Sequence, residues 1–231
     1  MFDPLINHVM NMANRVENEV ALIALASTAL ASIQPRVVPR VFAWGSATGG
    51  KSVQGWILQE LLPGTPLGDV LDDLTPAEKK RVFAQMAGIL KGIQSYTLPA
   101  SIAGFGGVTF DAAGQVVSAA MPTVGAGPWD SFEASFKARL ELELKEADDN
   151  PYIKGWRANG LRTRLERFVA EGLLAMFEGL GGKEERVVCH ADFSQYLPTL
   201  CPGSQSSVRA GRCMHVSLWC RWFAVLTTHR P

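Results

Sequence analysis

The sequence predicts an α+β fold in which one helix packs on a small sheet and a mostly helical region follows. Three observations lead there. Residues 14–31 are rich in Ala and Leu and hold neither Gly nor Pro, which is the composition of a helix. Two apolar, β-branched runs, RVVPRVFAW and SVQGWILQELL, stand on either side of the Gly-rich GSATGGK, the pattern of a β-hairpin. Beyond Thr75 the apolar residues recur mainly at helical spacing.

Each element has a local cause. LPGTPL, directly after the hairpin, is a cluster of breakers and reads as the boundary between two parts of the chain. In LTPAEKKRVFAQMAGILKGIQSYTL, Thr75 is placed to cap a helix, with Pro76 at its first position and Glu78 at its third. Val82, Met86, Ile89, Leu90 and Ile93 then form the face that should be buried. GGVTFDAAGQVVSA reads as a second, short hairpin. WDSFEASFKARLELELKEADDN reads as a long helix that ends before Asn150-Pro151, and LRTRLERFVAEGLLAMFEGLGG as another, stopped by Gly181 and Gly182. ERVVC is a short strand leading into His190. After Leu197 no period is visible, so no element is placed there.

Composition narrows the function. The 22 basic and 22 acidic residues balance, which argues against nucleic acid as a partner, because neutralising phosphates needs a basic excess. There is no apolar run of about 18 residues, so no membrane partner is expected. VALIALASTALASI is apolar, but the NRVENEV before it carries two acids and one Arg rather than a basic leader, so a buried helix is the expectation. Only Cys189 of the four cysteines falls within the first 192 residues, as in a reduced, cytoplasmic protein. All 22 acids lie at or before Asp192, whereas Phe193 to the end holds four Arg, no Lys and no acid.

Several patterns carry little weight. Gly49, Gly50 and Lys51 lack the GxxxxGK[ST] spacing and lie between strands, so they read as a hairpin turn. Cys201, Cys213, His215 and Cys220 lack the paired C-x2-C of a zinc site. Arg36 and Arg40 read as surface charges.

From about Asn14 to Tyr196, the succession RVENEVALIALA, VPRVFAW, GWILQELLPGTPL, GPWDSFEASFKARLELELKEADDNPYIKGW and VVCHADF resembles the aminoglycoside phosphotransferase family, the choline kinase-like small-molecule relatives of protein kinases. The resemblance implies a two-lobe protein kinase-like fold, ATP and Mg as cofactors, and a small-molecule hydroxyl as acceptor. Phosphoryl transfer of this kind depends on positioning and charge neutralisation more than on covalent chemistry. By the same resemblance, Asp192 of the His-x-Asp motif orients and deprotonates the acceptor hydroxyl, and His190 supports its loop. Glu19 is the helix carboxylate that pairs with a strand Lys, with Glu17 the alternative. Adenine bonds to the backbone of Glu60, Leu61 and Leu62.

The sequence departs from that pattern at both ends. The position five after Asp192, where the family has a metal-binding Asn, is Leu197, and no acid follows to supply the second metal ligand. No Lys and no Gly-rich loop precede Glu19. The expected division is therefore a partial nucleotide-binding lobe at 1–62, a helical substrate lobe at 63–197 and a divergent tail at 198–231, for which disorder is one expectation. The expected function is a kinase-like phosphotransferase that is catalytically defective. The alternatives are a pseudokinase-like binding module and an aberrant gene product whose tail comes from another reading frame or an unspliced intron.

Overall fold

The computed structural model describes residues 12–47, 55–62, 64–153, 155–180, 184–189, 198–202, 214–218 and 224–229. They form a mixed α and β arrangement of small antiparallel sheets and helices. The first helix, α1 (Met12–Ala29), matches the Ala-rich stretch. Val20, Ala21, Leu22, Ile23, Leu25 and Ala26 are all buried, so α1 is enclosed on most sides instead of resting one stripe on a sheet. Small Ala side chains allow that close approach, and helix propensity and packing act in the same direction here.

The hairpin follows as β1 (Val41–Gly45) and β2 (Trp56–Gln59), antiparallel, pairing Val41 with Gln59 and Gly45 with Trp56. The register slips between Val41 and Ala43, leaving Phe42 as the extra residue of a bulge, 63 % exposed. Trp56 lies across Gly45. A Cβ at residue 45 would come within 2.6 Å of the indole Nε1, so the close approach requires glycine. On the other face Trp44 stacks on Phe110 with ring centroids 6.1 Å apart.

A two-residue strand, β3 (Thr65–Pro66), and a single turn, α2 (Leu67–Val70), follow the breaker cluster. The helix α3 (Pro76–Gln94) begins as the sequence predicts. Glu78 N–H donates to Thr75 Oγ1 at 3.3 Å and Thr75 N–H donates to Glu78 Oε2 at 2.9 Å, which completes the capping box. Of the five stripe residues, Val82, Ile89 and Ile93 are fully buried, while Met86 and Leu90 are half-buried at its margin. Each full burial contributes about 1.5–3 kcal/mol.

The second hairpin is β4 (Gly107–Phe110) with β5 (Val116–Ala119). Asp111 closes it by accepting from the N–H groups of Ala113 and Gln115 at 2.9 and 2.8 Å, and Gly114 takes the left-handed φ of 75°. This hairpin lies along α1. Asn18, 3 % exposed, accepts a hydrogen bond from Val108 N–H at 2.9 Å, and Asn14 donates to the Ala120 carbonyl at 2.9 Å.

In the helical region, α4 (Phe132–Asp149) is capped by Ser131, which accepts from Ala134 N–H at 3.0 Å. The continuous helix expected after residue 161 is interrupted. It runs as α5 (Leu161–Arg167), a π turn over Phe168–Gly172, and α6 (Leu173–Leu180). Gly172 sits under the Phe168 ring, where a Cβ would lie 2.8 Å from Cδ2, so the widened turn and the glycine belong together. Phe132 then meets Phe105, Phe136 and Phe177 at 5.6–6.2 Å, joining α4 and α6 to the second hairpin.

The strand β6 (Glu184–Cys189) buries Val187 and Val188 and pairs antiparallel with β9 (Ala224–His229). Two further strands, β7 (Pro198–Pro202) and β8 (Met214–Leu218), pair with each other, and β7 also pairs with β3. The tail thus supplies three strands where its sequence shows no period. Pro198 and Pro202 occupy the first and last positions of β7, where a missing N–H costs least. Strand pairing is non-local, so a run that is aperiodic in sequence can still find a partner at Thr65–Pro66 or Glu184–Cys189.

Candidate functional site

The segment that joins the first hairpin to the helical region is Glu60–Leu62, and it is held by charge. The Glu60 carboxylate receives Arg36 Nη2 at 2.9 Å on Oε1 and 2.6 Å on Oε2. Oε2 also accepts from Arg40 N–H at 3.1 Å, while Glu60 N–H donates to the Arg40 carbonyl at 2.8 Å. Glu60 and Arg40 therefore continue the β1–β2 ladder one pair past Val41 and Gln59, and Arg36 closes over it. Arg36 and Glu60 are each about one-third exposed, at 34 % and 30 % of their side chains. The reading of Arg36 as a bare surface charge is thus incomplete. The hairpin register would have placed Arg40 opposite Glu60, but no sequence spacing brings Arg36 there.

The Glu60 N–H is thus occupied by Arg40. Among the described residues the Glu60 carbonyl and the Leu61 and Leu62 backbone groups have no hydrogen-bond partner. Leu61 projects outward, 75 % exposed, and Leu62 is buried. The three residues named from the sequence follow directly on the end of β2.

The helix carboxylates lie on α1, and Ser46 and Glu60 stand at opposite ends of the β1–β2 ladder. Glu17 accepts a hydrogen bond from the Ser46 hydroxyl, directly after β1, so its side chain is turned toward the first hairpin. Its second oxygen, Oε2, is buried with no partner among the described residues. Glu19 is half-buried on the same helix.

β6 carries the chain toward the motif. Val187 and Val188 anchor it in the core, and Cys189 follows, its thiol pushed above its ordinary value by burial. His190, Asp192 and Leu197 lie outside the described residues, as do Gly49, Gly50 and Lys51. Among the described residues no group of three or more His, Cys, Asp or Glu side chains could hold a metal ion. No described helix is long and apolar enough to cross a membrane.

Two other features lie away from this segment. A groove of about 400 Å³ between the end of α3 and β6 is lined by Tyr96, Thr97, Glu185, Arg186 and Val187 and includes neither the α1 carboxylates nor Glu60–Leu62. In the helical region Asp148 binds Arg157 at 2.6 Å and Arg162 at 3.1 Å, and Arg162 also reaches Glu166 at 2.7 Å. The Arg157 hydrogen bond, with Arg162 behind it, holds the Asp148 carboxyl below the usual carboxylate range.

Compared with known families, residues 9–195 match the model of a phosphotransferase enzyme family. That match stops three residues after Asp192, beside the point where acids disappear from the sequence. No curated protein and no solved structure matches the chain significantly.

Proposed function

Because the chain belongs to the phosphotransferase enzyme family, we propose that it descends from kinases that move the ATP γ-phosphate to a hydroxyl of a small molecule, and that it binds adenine nucleotide without turning it over. The lobes would divide near Leu62, in a cytoplasmic protein. The carrying observation is the donor set. Residues 193–231 hold no Asp or Glu, and position 197 is Leu.

Magnesium, which the family implies, does not fit these residues. A hard cation takes oxygen ligands, and neither Leu197 nor the tail's side chains supply a carboxylate or carboxamide beyond Gln205. Asp192 keeps the chemistry of a base for a hydroxyl proton, but the charge that develops on the transferring phosphoryl group has no partner. Losing one preorganised electrostatic partner of a transition state costs about 10²–10³ in kcat, and several are missing here. The backbone at Glu60–Leu62 does not depend on those losses. Its carbonyl and N–H groups suit the donor and acceptor on the edge of adenine, which supports retained binding.

Titrating ATP with and without magnesium tests this. The expected result is one affinity under both conditions. Tighter binding with magnesium would mean that the chain builds a metal site after all.

A second reading, in which the tail comes from another reading frame or an unspliced intron, is favoured by the coincidence of the family match ending at residue 195 with the loss of acids after Asp192. Sequencing transcripts across the codons for Gln195–Thr199 decides it. A spliced message with Asn at position 197 and an Asp downstream would support the frame change.

A further inference from the structure

We infer that the outward face of α5, the π turn and α6 is an interface between two copies of this chain, packed antiparallel. The inward face is accounted for: Val169 and Leu173 are buried, and Phe177 meets Phe132 and Phe136 of α4. The outward face is not covered. Leu161, Leu165, Phe168 and Met176 are each 36–40 % exposed. Leu161, Leu165 and Phe168 recur at intervals of four and three residues, so they share one side of the helix. In the wider π turn an interval of four brings Gly172 under the Phe168 ring, and Met176 follows one α turn later.

Charge decides what can cover this face. An open groove of about 410 Å³ on it is lined by Arg164, Arg167, Phe168, Glu171 and Gly172. The neighbouring Arg157 and Arg162 are matched by Asp148 and Glu166. Among the described residues, Arg164, Arg167 and Glu171 are in no ion pair. The groove therefore carries two guanidinium groups toward its N-terminal end and a carboxylate toward its C-terminal end, with an aromatic ring between them. A surface that holds both signs in this order is complementary to a second copy of itself turned end for end.

A two-fold axis crossing the helix level with residue 169 matches these parts. It sets Arg167 of each copy beside Glu171 of the other, because the two positions lie equally far from the axis. Arg164, one turn farther out, is within reach of the same carboxylate. Met176 of one copy comes level with residue 162 of the other, between Leu161 and Leu165, and the two Phe168 rings meet near the axis. Parallel packing would set Arg against Arg instead. The element from 161 to 180 is roughly 30 Å long and 10–12 Å wide. That footprint is smaller than the ~800 Å² a side of a standard interface, so the dimer is weak, with a dissociation constant of about 10–100 µM.

The test is sedimentation velocity of the full chain at low salt, over about 1–200 µM. The average mass should rise from monomer toward dimer, and added salt should lower it. Two charge-reversed chains separate this contact from general stickiness. Arg164→Glu with Arg167→Glu makes the groove acidic throughout, and Glu171→Arg makes it basic throughout. Each alone should self-associate at least tenfold more weakly, because like charges then face each other. An equimolar mixture of the two should recover the dimer. If a reversal unfolds the chain, Arg167→Gln and Glu171→Gln carry the test, and each should weaken the dimer and flatten its salt dependence. Equal association by all the chains would show non-specific apolar contact and overturn the proposal. So would an unsubstituted chain that stays monomeric throughout, and binding of that monomer to phosphatidylserine vesicles would assign the face to a membrane surface instead.

Discussion

Replacing Asn18 with Leu should separate α1 from the second hairpin. Asn18 is 3 % exposed and its Oδ1 is the acceptor for Val108 N–H at 2.9 Å. Val108 is 1 % exposed, so water cannot replace the lost acceptor. Leu fills a similar volume but accepts nothing. Leaving a buried N–H without a partner costs about 1–3 kcal/mol. In a chain of this size each kcal/mol moves the melting temperature by roughly 2–4 °C, so a fall of about 4–8 °C follows for a cost near 2 kcal/mol. Thr28→Ala is the control. Its hydroxyl donates to the Ala24 carbonyl at 3.0 Å on an exposed helix surface, and its loss should stay within about 0.5 kcal/mol. Thermal unfolding followed by circular dichroism gives both shifts, and hydrogen exchange at the Val108 amide gives the local effect. The reasoning fails if Asn18→Leu unfolds no earlier than Thr28→Ala, or if the Val108 amide stays as protected as in the unsubstituted chain.

Two further outcomes follow from the titrating groups. Asp148 is held ionised by Arg157 and Arg162, so its folded-state pKa lies below the ordinary 3.8. Its contribution is therefore present above that value and is lost as pH falls through the lower folded value. The melting temperatures of the unsubstituted chain and Asp148→Asn should differ near neutral pH and converge on acidification, and a constant gap would contradict this. Cys189 is raised by burial, so at mildly alkaline pH its thiol should alkylate more slowly in the folded chain than in denaturant, read by peptide mass spectrometry. Equal rates would show that β6 does not shield it.

Local rules carried much of the fold. The capping box at Thr75, Pro76 and Glu78 and the Asp111–Gly114 turn are short-range chemistry and form where the sequence places them. The hairpin at residues 36–62 follows from β-branched alternation, although the bulge at Phe42 does not, since it is a matter of register. The π turn at Phe168–Gly172 was hidden because helical periodicity before and after it is intact, and only the Phe168 ring against Gly172 marks it. The tail strands were hidden for a different reason: their partners are distant, at Thr65–Pro66 and Glu184–Cys189.

For the candidate site, motif reading named the Glu60–Leu62 segment and the α1 carboxylates, because a family pattern is a sequence of residue types. It could not show that the Glu60 N–H is taken by Arg40, or that Arg36 crosses 24 residues to the carboxylate. Nor could it separate Glu17 from Glu19. The Ser46 hydroxyl on Glu17 depends on where Ser46 comes to rest after β1.

The proposed lack of a magnesium site is tested most directly by turnover. Purified chain with ATP, magnesium and a panel of amino alcohols and aminoglycosides should release no more ADP or phosphorylated product than the Asp192→Ala variant. Phosphorylated product from the unsubstituted chain, abolished by Asp192→Ala, would contradict the proposal and show that the chain is a working kinase.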